Sequence, residues 1–311
     1  MMSETNWGRR KYRTTNWKAY NAALKARGDL SIWLDKDMQW LAPASGKRGR
    51  NQTFSDASIQ FCLTIKCLFG LPLRQTLGLV QSLLKMAGLP WAAPDYSTVC
   101  RRQKGINVQV HYRPSGNGLH MLADSTGIKF LGEGEWKTKK HGAERRRQWC
   151  KVHLGIDAEN MQIRAMVVTT NEVGDSPVAA GLLGQIPNHE IVASFTGDGA
   201  YDTKDVHEAC HHRKAIPVIP PRKGARLRKG LAFAHRNEAV KACKKLGRTI
   251  WKRWSGYHRR SLVETKMNCL KRLGEKVMAR TFERQVAELN VRASILNRFT
   301  ELGTPQTVAV A

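Results

Sequence analysis

The chain lacks an unbroken apolar run long enough to cross a bilayer. Its most apolar region, residues 57–90, is interrupted by Lys66, Arg74 and Lys85, which excludes a spanning helix. No apolar stretch follows the charges near the N-terminus, so that segment does not read as a secretory signal. Cysteine pairing is missing too. Cys62, Cys67, Cys100, Cys150, Cys210, Cys243 and Cys269 are scattered and odd in number, without a close Cys/His quartet of zinc spacing. They read as small buried hydrophobes of a reducing compartment, and the protein is expected to be cytoplasmic. Neither an internal repeat nor a low-complexity tract occurs. The largest shortage is of acid: Asp and Glu number 25 against 52 Lys and Arg, for a formal net charge of +27. A metabolic enzyme has no use for that excess. Self-repulsion makes it costly unless a polyanion neutralises it, and nucleic-acid phosphate is the common one. A ribosomal or structural protein would be equally basic, so charge indicates the partner and not the activity.

What is present suffices for a sizeable core: 311 residues, 41% of them hydrophobic. Residues 1–50 read as a basic N-terminal arm and linker, with Gly8–Arg13 and Gly46–Arg50 as its basic clusters and short helices over Trp17–Leu24 and Leu30–Leu41. Residues 51–115 are helical in pattern. Asp56 is placed to cap a first helix that ends at Gly70-Leu71-Pro72; a second carries Leu73, Leu77, Val80 and Leu84 on one face. A third begins near Asp95 or Ser97 and ends in Arg101, Arg102 and Lys104. Three short helices with a basic last one suit a helix-turn-helix that binds DNA through those three residues. A plain helical subdomain is the alternative.

From about residue 116 to 302 strands alternate with helices, and residues 303–311 form a tail. Leu119–Ala123 reads as a buried strand ending in Asp124, with a turn over Ser125–Gly127 and a new strand from Ile128. Trp136–Arg147 reads as a mobile basic loop. Strands follow at 150–157 and 162–169, a helix near 175–185, and a strand at 191–196 that ends in Gly197-Asp198-Gly199. Asp202 is placed to cap the next helix, Ala215–Ile219 is a short strand, and Arg222–Lys229 a second basic loop. Helices are expected over His235–Leu246, over Tyr257–Lys271 and from Phe282 onward. On a helix Tyr257, Arg260, Glu264 and Lys271 fall at i, i+3, i+7 and i+14, one narrow polar sector beside the apolar arc of Leu262, Val263, Met267 and Leu270. Simple surface pairing of Arg260 with Glu264 is the bland reading of that stripe, and an Arg on the N-terminal side is its weaker orientation.

Three acids stand out by position. Asp124 and Asp198 each follow an apolar strand, and Glu264 lies on a later helix. In a sheet with parallel neighbours, ligands gather outside the carboxyl ends of the strands. Carboxylates gathered there make an oxygen-rich site for hard divalent cations such as Mg²⁺. Taken singly, each acid is as well explained as a turn or cap residue. His207 and His211 share a helix face, but hard-cation chemistry does not call for imidazole. Trp149 and Trp254 are of a type that stacks unpaired bases, though a core role is the commoner one.

The Tyr-x2-Arg-x3-Glu-x6-Lys spacing resembles the signature of bacterial insertion-sequence transposases of the DDE type, in the group named after insertion sequences four and five. The resemblance also takes in Asp124-Ser125-Thr126-Gly127, the Trp149–Asp157 strand and Gly197-Asp198-Gly199-Ala200-Tyr201-Asp202. The short segment between Asp198 and Glu264 is closest to the insertion-sequence-five side. It implies an α/β, ribonuclease-H-like catalytic core over 116–302, with Asp124, Asp198 and Glu264 as catalytic metal ligands. Two Mg²⁺ ions are implied, with Mn²⁺ able to substitute, and Tyr257, Arg260 and Lys271 on DNA. It further implies binding of terminal inverted repeats, cleavage at the ends, joining of the 3′-hydroxyl to target DNA, and a homodimer or larger assembly near the nucleoid. A transposase-derived repressor with an idle core, or a nuclease without strand transfer, would share much of this pattern.

Overall fold

A computed structural model describes residues 11–44, 46, 48–49, 51–130 and 149–310. In chain order the elements are β1 (Lys11–Thr14), α1 (Trp17–Ala26), α2 (Asp56–Phe69), α3 (Leu73–Met86), α4 (Tyr96–Arg102), β2 (Leu119–Phe130), β3 (Trp149–Asp157) and β4 (Ile163–Thr170). Then come α5 (Ala179–Gly184), β5 (Val192–Thr196), α6 (Lys204–His212), β6 (Ile216–Val218), α7 (Ala234–Leu246) and α8 (Arg248–Trp254). The chain finishes with α9 (Ser261–Arg272), β7 (Lys276–Val277), α10 (Phe282–Leu302) and β8 (Thr307–Val310).

The main sheet has the order β4-β3-β2-β5-β6, and β7 joins the far end of β2. The strand β3 runs antiparallel to both β2 and β4, whereas β5 and β6 run parallel to β2 and to each other. Alternation along β2 sends Leu119, Met121 and Ala123 to one face and Leu122 and Ile128 to the other. The first set packs under Leu182 and Leu183 of α5 and Val206 and Cys210 of α6. The second packs under Val263, Met267 and Leu270 of α9 and Leu289, Ala293 and Leu296 of α10. Helices therefore cover both faces of a mixed sheet, an arrangement compatible with a ribonuclease-H-like core.

In the helical region, the Ser55 hydroxyl caps α2 by accepting from the Ser58 N–H at 3.1 Å. Gly70 ends that helix in the left-handed conformation at φ 63°, where a side chain is disfavoured. The chain then turns through 110° into α3. These helices share a core with the rest of the molecule, because Val291 and Ile295 of α10 pack among Ile59, Leu63, Val80 and Leu84. Glu288, buried on the same helix, accepts from Arg292 at 2.7 Å and pairs with Lys66 of α2 at 3.7 Å. No single helix among the described residues is long and apolar enough to cross a membrane.

Several expectations need correction. Ser125–Gly127 is not a turn: β2 continues through it, since Asp124 to Lys129 pair residue by residue with Leu154 to Trp149 of β3. Asp124 therefore sits inside a strand. Tyr257–Arg260 is a separate 3₁₀ turn, and the α-helix begins only at Ser261. Of Leu30–Leu41, only Leu30–Ile32 forms a helical turn. The cap of α2 is Ser55 and not Asp56, and α6 follows Thr203, leaving Asp202 for other work. Part of the N-terminal arm and part of the tail are strands, β1 and β8, paired antiparallel. The basic loop at Trp136–Arg147 lies outside the described residues, as does Gly8–Arg10 of the arm.

Candidate active site

The parallel half of the sheet stops where Leu122 of β2 faces Thr196 of β5. Asp124 is the next residue of β2 on the face that carries Leu122, and so emerges just beyond the end of β5. The chain leaving β5 turns at Gly197, and Asp198 caps the following 3₁₀ turn by accepting from the Ala200 N–H at 2.8 Å. A Cβ on Gly197 would come within 2.6 Å of the buried Tyr201 ring, so only glycine lets the turn close this tightly. Replacing Gly197 with Ala is expected to push the Asp198 turn away and, if Asp198 acts in the chemistry of this site, to slow turnover about 100-fold, the usual cost of an ångström of misplacement. Turnover kinetics beside an unchanged circular-dichroism spectrum would check this, and undiminished turnover would refute it.

Helix α9 crosses the Asp124 face of the sheet and brings Glu264 in on its first turn, where the helix dipole favours a carboxylate. One residue joins the two ends of the arrangement. The Arg260 guanidinium donates to the Asp124 carboxylate through Nη1 and to Glu264 Oε1 at 2.6 Å through Nη2. The other oxygen of Asp124 accepts from the Ser125 N–H at 2.9 Å. Burial pushes the Asp124 carboxyl above its ordinary value, and the charge of Asp198 acts in the same direction; the Ser125 N–H and Arg260 oppose them. Burial works to lower the Arg260 value, but Asp124, Tyr257 and Glu264 together raise it above the ordinary one. The Tyr257 hydroxyl is also pushed up, by burial first and then by Asp198 and Asp124 against the opposing Arg260. Asp124, Asp198, Tyr257, Arg260 and Glu264 therefore share one electrostatic neighbourhood.

Among the described residues no three His, Cys, Asp or Glu side chains converge as a ligand set for one metal ion. The guanidinium of Arg260 stands between Asp124 and Glu264 instead. The donor chemistry still fits a hard cation. Oxygen ligands alone are present, and Asp124 is partly desolvated beside a second acid.

The remaining sequence candidates are more dispersed. Tyr257 lies 6.0 Å from the Trp251 ring, with Lys252 Nζ 5.2 Å from its centroid. Lys271 is exposed on the last turn of α9. Trp254 is 76% exposed and Trp149 36% exposed, so neither is a core residue. Arg101 is exposed and donates back to the Ser97 carbonyl at 3.3 Å. Arg102 is occupied internally, on Asp56 at 2.5 Å and on the Phe54 carbonyl at 2.7 Å. Lys104 is exposed. His207 is buried on Asp202, while His211 and His212 face outward.

Sequence reasoning missed the support of the Asp198 turn. Asp202, 3% exposed, accepts from Arg236 Nε at 2.6 Å, from the Arg222 N–H at 2.9 Å and from His207 Nε2 at 3.1 Å. Arg222 in turn donates to the Gly199 carbonyl at 3.1 Å and to the Ala200 carbonyl at 3.0 Å. The proximity of Asp202 to Asp198 was the only available signal, because Arg222 and Arg236 lie far along the chain.

Carboxylates gathered where parallel strands end, beside Arg and Tyr on a strongly basic protein, make the type of site that acts on phosphate esters. Comparison with known families agrees. Residues 25–133 match one family model described as a transposase DDE domain, and residues 115–298, more than half of the chain, match a second of the same description. The chain belongs to the DDE transposases, enzymes that cleave and join DNA and that normally use divalent metal ions.

Proposed function

We propose that this transposase belongs to the insertion-sequence-four/five group and acts on the terminal inverted repeats of its own element. In this reading Asp124, Asp198 and Glu264 hold two Mg²⁺ ions, with Mn²⁺ able to replace them. The observation that carries it is the double contact of Arg260, which brings Asp124 and Glu264 to one guanidinium beside Asp198. Bound cations supply Lewis acidity toward the phosphate under attack. The chain's own groups do the rest. Arg260 is placed to move from carboxylates to a phosphate oxygen, exchanging one charge-assisted pair for another. Tyr257 lines the wall of the same cleft. Lys271 lies seven residues beyond Glu264, about 10 Å at 1.5 Å per residue, and is placed for a backbone phosphate flanking the cut. The helices of residues 51–115 are the proposed repeat-binding unit, with Arg101 and Lys104 free to face DNA, and a ribonuclease-H-like domain over 116–302 does the chemistry. Two ends must be held together, so the working form is a homodimer or larger.

A repressor reading would rest on the same guanidinium standing among the acids. The test uses a duplex carrying the inverted repeats that flank the gene, a target plasmid and Mg²⁺. Cleaved 3′-hydroxyl ends joined to the plasmid are expected. Cleavage without joining of precleaved ends would indicate a nuclease, and binding without cleavage a repressor; either result overturns the proposal.

A further inference from the structure

Beyond β6 the chain passes through a double proline into the segment Arg222–Lys229, and this segment borders an open hollow of about 290 Å³. Arg222, Lys223, Arg226, Arg228 and Arg236 line it, with Asp202 as the one carboxylate in its wall. Asp202 brings little negative charge to the space, because Arg236 and His207 already cover it. The loop is held in place. Arg236 donates to the Arg226 carbonyl at 2.8 Å, while Asn237 accepts from the Arg228 N–H at 2.9 Å and donates to the Arg228 carbonyl at 2.7 Å. The backbone of the loop is therefore fixed, while Arg222, Lys223 and Arg226 around the hollow keep their charges exposed. Arg228 carries the clearest mark of an incomplete site: its Nη1 is buried without a hydrogen-bond partner among the described residues.

We propose that this cavity is a phosphodiester-binding site that grips one DNA backbone phosphate close to the cut. A doubly substituted phosphate keeps two free oxygens and one negative charge, a match for converging guanidinium and ammonium donors. At about 30 Å³ per water, the hollow has room for the phosphate and several bridging waters. Its position gives the contact a purpose. Arg222, on the rim, is bonded to the carbonyls of Gly199 and Ala200, the turn that Asp198 caps. A strand held in the cavity is thus in register with Asp198 through one side chain. The proposal rests on DNA being the substrate, and the experiment separates its failure from failure of the catalytic assignment.

The test uses the full chain and a 40-bp duplex of mixed sequence, with affinity measured against salt concentration. Lys223→Gln/Arg226→Gln removes two cations that have no structural role in holding the loop. The slope of log K against log[salt] is expected to fall by about one, at roughly 0.9 for the one lost phosphate contact. The charge-conserving Lys223→Arg/Arg226→Lys variant is expected to keep the wild-type slope, which shows that a fall comes from charge and not from misfolding. An unchanged slope in Lys223→Gln/Arg226→Gln overturns the proposal. So does saturable binding of inorganic phosphate, lost in that variant, with no change in the duplex slope, since the ligand would then be a free anion. Asp198→Asn, measured in parallel, is expected to keep the full slope; its cleavage result bears on the catalytic assignment alone.

Discussion

Replacing Asp198 with Asn is expected to reduce strand cleavage in Mg²⁺ on the order of 10³-fold or more, while binding to the element ends stays within about twofold of wild type. The magnitude follows from removing one preorganised charged group from a phosphoryl-transfer site. The substitution nearly preserves shape, and the amide oxygen can still accept from the Ala200 N–H, the bond by which Asp198 caps its turn. What is lost is charge. Asn is a poor ligand for a hard cation, and its loss also relieves the repulsion between Asp198 and Asp124. The carboxyl of Asp124 should consequently move down toward its ordinary value in the variant. Cleavage on a labelled repeat duplex, with binding measured in Ca²⁺, checks both halves. Wild-type cleavage by the variant would remove Asp198 from the chemistry.

Asp202→Asn is expected to cost about 3–5 kcal/mol of folding stability, the usual result of breaking a buried ion pair from one side. Arg236 is itself 5% exposed and donates to Asp202 through both Nε and Nη2, so the variant leaves a buried guanidinium short of its counter-charge. A pH signature accompanies the loss. Burial tends to raise the Asp202 carboxyl, but His207, Arg236 and the Arg222 N–H together hold it well below the ordinary carboxylate range. Its folded pKa therefore lies below its unfolded one. The stabilisation is fully present above the unfolded value of about 3.9 and is lost as pH falls from there through the folded pKa. Urea unfolding at pH 7 and at lower pH should show a gap between wild type and Asp202→Asn that narrows with acid. Equal midpoints at pH 7 would contradict the role given to this carboxylate.

The candidate acids were legible as candidates because they stand in a pattern: apolar run then Asp, apolar run then Gly-Asp-Gly, and a polar stripe on a helix. The placing of Asp124 and Asp198 at neighbouring parallel strands depends on topology that the pattern does carry, since short β-strands alternating with helices lead to parallel neighbours. The error at Asp124 has a physical cause. Ser125-Thr126-Gly127 has turn composition, and only the nine-residue partner strand β3, running opposite it, overrides that preference with ladder hydrogen bonds. The break at Ser261 was hidden for a related reason: a 3₁₀ turn and an α-helix both bring residues i and i+3 to one side, so Tyr257 and Arg260 fit either. The mixed sheet was legible in class, but not the way the helical region leans on α10. The buried tie of Asp202 to Arg236 was the least legible part, because no local rule brings together residues 34 apart in the chain.

Helix α10 enters the cores on both of its sides, giving Leu289, Ala293 and Leu296 to the sheet and Val291 and Ile295 to the helical region. A ribosome making this protein has therefore translated Asp124, Asp198 and Glu264 before it releases the helix that completes these two cores. Nascent chains that stop short of Phe282 carry Asp124, Asp198 and Glu264 on an unfinished scaffold. Chains cut before Phe282 are therefore expected to leave both of these cores open and to show no activity on DNA.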